Sequence, residues 1–289
     1  MEYSNPEIPE GINTTPTHPL KEFFILTVGV IVILVTSLYL LILTIDYFAD
    51  MIPFSWEEKI PVAQIIADKN TIEPPQYLTR LTEDIVAAMD LPDDMKITLH
   101  YSNSDIVNAF ATLGGHLVLY RGLLEKIKSE DELAMVIAHE VAHIKYRHPV
   151  AAASHGIATT LILSLISTSS DNALGRFMGT TGMLTVMKFS RDFEYEADAD
   201  AVSLLVKRYG HAQGAVGLFS IFKEEMADSE PVEFLNTHPL TEKRIHKAMS
   251  LTGAVTNRTQ DKKMKPLPAE FVNWLASQAQ VEVEEKTDR

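Results

Sequence analysis

Residues 134–148 read AMVIAHEVAHIKYRH, and the fold turns on this stretch. On a helix, positions i and i+4 share a face, so His139 and His143 can reach one ion. Glu140, next to the first of them, stands where a carboxylate can take a proton from a metal-bound water. Its neighbours Ala134, Met135, Val136, Ile137, Ala138, Val141 and Ala142 are small or apolar. A helix apolar on nearly every side is a buried one, and polar residues buried in it demand partners. A pair of surface histidines beside a glutamate would not come in such surroundings. The spacing points to a zinc site, with His139 and His143 as ligands and Glu140 as general base for hydrolysis.

Working outward, Ser129 followed three residues later by Glu132 is a capping-box start. Helix is expected from Glu130 to about His148, stopping before Pro149. A catalytic zinc takes a third protein ligand and keeps one position open. The extended motif would supply it with Gly at 146 and His at 149, but Tyr146 and Pro149 stand there. His148 falls about 140° round the helix from His143 and reads as a cation at the helix C-terminus. The third ligand is therefore sought in Ser190 to Ala201, SRDFEYEADADA, part of a helix expected over about 189–208. Glu194 and Asp198 are four apart and share a face, whereas Glu196 is turned about 200° from Glu194. Glu194 as ligand, with Asp198 behind a ligand histidine, meets the need for a carboxylate that orients the imidazole. A solvated acidic face is the alternative.

The chain of 289 residues has no cysteine. That excludes disulfides, thiolate metal sites and a cysteine nucleophile, and leaves any metal to His, Asp or Glu. With 39 acidic against 25 basic residues the formal charge is −14, a balance that repels nucleic acid.

Phe23 to Ile45, FFILTVGVIVILVTSLYLLILTI, carries no charge. About 23 helical residues rise roughly 34 Å, enough to cross a hydrocarbon core of about 30 Å. The rival is a cleaved signal peptide. The run is too long for one, an acidic segment precedes it and no small-x-small cleavage site follows. Tyr39, Tyr47, Phe48 and Trp56 stand near its far end, where interfacial aromatics are expected. Lys21 precedes the run, while Asp46, Asp50, Glu57 and Glu58 come before Lys59 after it. The positive-inside rule then leans to a cytoplasmic N-terminus and a catalytic part outside the cytoplasm. Residues 1–20, with Pro6, Pro9, Pro16 and Pro19, read as a flexible tail, 21–50 as an anchor in membrane lipid and 51–74 as a linker.

The next segment, QYLTRLTEDIVAAMD, spaces Tyr77, Leu78, Leu81, Ile85 and Met89 as a helix does. Lys96 to Tyr101 alternates as a strand. Asn108 to Thr112 and His116 to Tyr120 read as two strands of a hairpin turned at Gly114-Gly115. Further helices are expected near 213–228, 240–250 and 268–280. The apolar stretches 156–166 and 178–189 read as buried core helices, with additional membrane spans as the alternative. The fold class is α+β, predominantly helical: one transmembrane helix ahead of a zincin-type domain over 75–250 with a small edge-strand sheet, and a C-terminal extension over 251–289.

His139-Glu140-Val141-Ala142-His143, the block from Ser190-Arg191 to Asp198, and Thr237-His238-Pro239 followed by Arg244-Ile245 occur in that order. Together with Asn108-Ala109-Phe110-Ala111, Gly114-Gly115 and Arg121-Gly122-Leu123-Leu124, they resemble the HtpX and CAAX-prenyl-protease family of membrane-associated zinc metallopeptidases. The resemblance covers roughly residues 75 to 250. It implies one Zn2+ per chain held by His139, His143 and Glu194, with Glu140 as general base and Asp198 in support. It places His238 beside the substrate carbonyl as oxyanion stabiliser; apart from the family, His238 would read as a turn histidine before Pro239. Arg244 is implied as a structural residue or a partner for a site acid. The strand around Asn108, Ala109 and Phe110, with the turn at Gly114 and Gly115, is implied as an edge that holds extended substrate.

Two departures stand out. Leu113 occupies the place where the family usually has a proline, and one span is expected where the prenyl proteases have several. The chain is therefore closest to single-anchor or periplasmic quality-control members, in a bacterial inner membrane, with unfolded or damaged proteins as substrates by analogy. A tethered binding protein with a structural zinc is the rival from another class. It would close the fourth position with a protein ligand and would not need Glu140.

Overall fold

Ser129 starts the motif helix as its sequence requires. Its hydroxyl accepts the Glu132 N–H while the Glu132 carboxylate accepts the Ser129 N–H, a complete capping box. The structure is a computed structural model that describes residues 18–48, 51, 53–60, 66, 70–153, 189–227, 233–247, 250 and 263–287. The apolar stretches 156–166 and 178–188 lie outside these residues. The chain divides into two units, Met1–Ile45 and Asp46–Arg289.

The first unit holds most of α1, Pro19–Phe48. Over Pro19–Thr44 it is long and apolar enough to cross a membrane, and none of that stretch is buried in protein. Phe23, Leu26 and Ile33 stand more than half exposed, as apolar side chains do when the hydrocarbon they would meet is lipid.

In the second unit the elements run α2 (Phe54–Glu57), β1 (Thr71–Ile72), α3 (Gln76–Ala88), β2 (Thr98–Ser102), β3 (Ala109–Thr112), β4 (His116–Tyr120), α4 (Arg121–Lys126) and α5 (Glu130–Lys145). They continue with α6 (Arg191–Tyr209), α7 (Gln213–Ala227), α8 (Glu233–Thr237), a helical turn over 242–247 and α9 (Ala269–Thr287). The expected α+β, mostly helical class with a small sheet is what is found. α5 is buried along its whole length up to Ile144, with α3, α6, α7 and β3 packed around it. An all-round apolar surface has this consequence. From α3, Leu78, Leu81 and Ile85 join the core with Leu133, Val136 and Ile137.

The sheet order is β1-β2-β4-β3. The expected hairpin is present: β3 and β4 pair antiparallel, Phe110 opposite Val118, through a single turn of 3-10 helix at Leu113–Gly115. β2 pairs parallel with β4, which leaves β3 at the sheet edge. Gly114 and Gly115 have φ of +73° and +75°, and a Cβ on Gly115 would lie 1.9 Å from the Lys96 carbonyl oxygen. Only glycine fits both the left-handed backbone and that approach.

The C-terminal residues join the same core. Ser129 and Pro266 form a β-bridge, Lys265 Nζ reaches the Glu130 carboxylate at 2.8 Å, and Phe271 and Leu275 of α9 are buried. This segment fastens the start of the motif helix.

The helix end departs from expectation. α5 stops at Lys145, three residues before His148, with Tyr146 as its cap. Arg147 has φ +59°, and helix resumes over 148–153. Pro149 explains the break: it favours the first turn of a helix, where its missing N–H is not needed. It begins a new helix here instead of merely following an old one.

Candidate active site

α5 and α6 pack side by side and bring their polar residues face to face. His139, His143, Glu194 and His238 each offer a donor atom within 4.8 Å of the others, and all four are buried. His139 Nε2 lies 3.0 Å from His143 Nε2. Glu194 Oε1 lies 3.4 Å from His143 Nε2, and Glu194 Oε2 3.6 Å from His139 Nε2. His238 follows α8 and is 0% exposed. Its Nδ1 sits 2.9 Å from Glu194 Oε1, and its Nε2 3.4 Å from Glu140 Oε1.

The groups behind these donors fix their tautomers. His139 Nδ1 is 3.1 Å from Asp198 Oδ1. An acceptor there keeps the proton on Nδ1 and leaves Nε2 bare. Arg244 grips Asp198 with two hydrogen bonds, Nε to Oδ2 at 2.8 Å and a terminal nitrogen to Oδ1 at 2.9 Å. It also pairs with Glu194 and donates to the Pro239 carbonyl.

His148 is a correction. The expected C-terminal cation is instead 2% exposed, its Nδ1 2.8 Å from His143 Nδ1 and its Nε2 3.3 Å from Glu196 Oε2. It stacks on Phe193, ring centroids 4.1 Å apart. Burial lowers it to about 4, so it is neutral and can accept the His143 Nδ1–H while donating Nε2–H to Glu196. The left-handed Arg147 brings it round. The signal available in the sequence was Pro149, which marks His148 as a helix start.

With both Nδ1 atoms committed, His139 and His143 point bare lone pairs at each other across 3.0 Å. Such an arrangement needs a cation. Without metal a proton serves: burial alone would lower His139, but hydrogen bonds and charge from Asp198 and Glu194 push it up to about 10. Burial and the charge on His139 hold His143 well below its ordinary value. Zinc fits the same place better. Ligands about 2.0–2.1 Å from a tetrahedral ion lie roughly 3.3–3.4 Å apart, close to the donor separations found here. Both Glu140 oxygens and His238 Nε2 are buried without a hydrogen bond, which marks groups waiting for a ligand. Burial would raise Glu194, but the neighbouring His238, with His139 and His143, outweighs it and holds the carboxyl well below the usual carboxylate range.

The sequence pattern of peptidase family M48 matches residues 73–252, well over half of the chain. The chain belongs to peptidase family M48. Mitochondrial metalloendopeptidase OMA1 of Schizosaccharomyces pombe is 32% identical over 174 residues, 59% of this chain and 51% of that protein. The beta-barrel assembly-enhancing protease of Escherichia coli is 30% identical over 187 residues, 59% of this chain and 37% of that protein. Metalloprotease YcaL of Escherichia coli is 31% identical over 157 residues, 50% of this chain and 58% of that protein. The chain thus spans about half or less of the first two. As an M48 member it is a metallopeptidase of a zinc-dependent family, and its apolar α1 is a candidate membrane helix.

The other expected site residues fall as follows. Asn108, Ala109 and Phe110 are buried at the β3 edge strand, which packs on α5 and α8. Gly114 donates its N–H to Glu57 Oε2 at 3.0 Å, and Gly115 packs on the Lys96 backbone. Sequence reasoning missed His148, Arg147, Glu57 and the use of Glu196.

Proposed function

We propose that this M48 member is a membrane-anchored zinc endopeptidase that hydrolyses unfolded or damaged proteins of the cell envelope. α1 holds it in a bacterial inner membrane, with the catalytic unit outside the cytoplasm. The observation that carries the reading is the buried pair of bare imidazole nitrogens at 3.0 Å, closed on its third side by Glu194. Similarity to the beta-barrel assembly-enhancing protease of Escherichia coli supports an envelope role, and apolar α1 supports the anchor.

His139, His143 and Glu194 would hold the ion. Zinc, when bound, supplies Lewis acidity, lowering the pKa of a water towards about 7 and polarising the peptide carbonyl. Glu140 accepts the proton of the attacking water and passes it to the amine nitrogen as the C–N bond breaks. Its buried carboxylate has no hydrogen bond to give up first. His238, with Nε2 facing Glu140, donates to the oxygen that becomes negative in the tetrahedral intermediate. Asp198 holds His139 in the productive tautomer, and Arg244 holds Asp198. The β3 edge at Asn108, Ala109 and Phe110 binds extended substrate by backbone hydrogen bonds, while Gly114 and Gly115 fix the turn that ends the strand.

The test is cleavage of an unfolded model protein by wild type, by wild type with chelator and by Glu140→Gln, with zinc content measured in each. Cleavage by untreated wild type alone, with about one zinc retained by Glu140→Gln, is expected. Zinc bound without cleavage in any sample would favour the structural-zinc reading, with His238 as its fourth ligand. A wild type that takes up no zinc would overturn the ligand assignment.

A further inference from the structure

Glu57 lies on α2, four residues of short helix that follow the apolar helix in sequence. It is 7% exposed. One of its oxygens pairs with the Arg147 guanidinium at 2.5 Å, and the other accepts the Gly114 N–H at 3.0 Å. Phe54 on the same helix is 1% exposed and sits beneath that guanidinium, 5.9 Å from ring centroid to Arg147 Cζ. A Cβ on Gly115 would come within 2.9 Å of its ring. α2 is therefore docked into the end of the motif helix by a buried ion pair and a buried ring.

Arg147 is the residue that reverses the chain. Its φ of +59° is a left-handed conformation that residues with a side chain rarely adopt and hold only when their surroundings demand it. A helix continued past Lys145 would carry His148 about 140° away from His143. The reversal instead sets His148 Nδ1 at 2.8 Å from His143 Nδ1.

We propose that Glu57 is a positioning residue for the metal centre. By fixing Arg147 in its left-handed conformation, it keeps His148 behind His143 and so makes metal affinity depend on the docking of the segment that follows the anchor helix. This rests on reading His143 as a zinc ligand. Coupling of this kind is reciprocal: zinc tightens the docking of α2, and release of α2 weakens zinc.

The experiment uses the full-length chain in detergent micelles. Zinc affinity is measured by competition with a chromogenic chelator, and the ligand field by the visible spectrum of the cobalt-substituted protein. Loss of a partner behind a ligand histidine typically costs about 10–100-fold in metal affinity. Glu57→Gln is expected to lose about tenfold and to shift the cobalt bands. The double variant Glu57→Gln with Arg147→Gly is expected to regain most of that affinity and the wild-type bands, because glycine adopts a positive φ without help. Zinc affinity in Glu57→Gln equal to wild type would overturn the proposal. So would a double variant no tighter than Glu57→Gln, since the loss would then be general loosening. A wild type whose zinc uptake His143→Ala leaves unchanged would refute the ligand reading itself, and this proposal with it.

Discussion

Asp198→Asn tests whether the carboxylate behind His139 tunes the metal or only balances Arg244. The exchange is isosteric and removes one charge from a buried set. The Asp198 and Arg244 side chains are 5% and 3% exposed, so solvent screens little. Removing one partner of a buried pair costs about 3–5 kcal/mol. Arg244 keeps Glu194 and the Pro239 carbonyl, which places the loss near about 3 kcal/mol, the lower end of that range. The amide also has a geometric conflict. If its oxygen faces His139 Nδ1, its NH2 meets the Arg244 donors. If it turns over, its N–H meets Nδ1 and drives the imidazole proton onto Nε2, the nitrogen that faces the metal. Zinc affinity should then fall about 10–100-fold. Urea unfolding of the metal-free protein reads the first effect and chelator competition the second. A stability loss near about 3 kcal/mol with zinc affinity unchanged would refute the reasoning, leaving Asp198 as a partner for Arg244 alone.

Two further outcomes follow from the same geometry. His238→Ala should lower kcat about 10²–10³-fold, as loss of an oxyanion donor does, while retaining zinc; loss of zinc with it would make His238 a ligand. In the metal-free protein, Asp198 is held below the usual carboxylate range because His139 and Arg244 outweigh its burial, and Glu194 is held well below its own ordinary value. Their stabilisation is present above an unfolded value of about 4 and is lost as pH falls below it. His139 runs the other way: against the effect of burial, Asp198 and Glu194 raise it to about 10. Its contribution is full below about pH 6.5 and is lost as pH rises towards about 10. Burial also lowers His143 and His148, so their contribution falls away below about pH 6.5 as the unfolded imidazoles take up protons. Metal-free stability should therefore peak at about pH 6.5, the unfolded histidine value, and zinc uptake at about pH 8 should release about one proton from His139. Calorimetry in two buffers of different ionisation enthalpy reads that proton, and a count of zero would contradict the assignment.

Local chemistry was legible wherever a short segment sufficed. The Ser129–Glu132 cap, the i,i+4 face of His139 and His143, the Glu194–Asp198 face and the glycine turn each depend on residues close in sequence, so spacing fixes them. The His148 reading failed for an instructive reason. Regular helix geometry was carried past Tyr146, but one left-handed residue stands there, held by a side chain 90 positions earlier in the chain. The parallel pairing of β2 with β4 and the docking of Lys265 and α9 on the start of α5 join equally distant segments, and no periodicity announces them.

The sequence by itself determined the chemistry: which residues can hold a cation, which can carry a proton, and that α1 is apolar enough to enter lipid. These follow from residue type and local spacing. Only the tertiary structure decided the electrostatics of the site. It brought Asp198, Arg244, His148 and His238 behind and beside the donors, because burying α5 in the core takes His139 and His143 out of water, where each needs a polar partner that only another segment supplies.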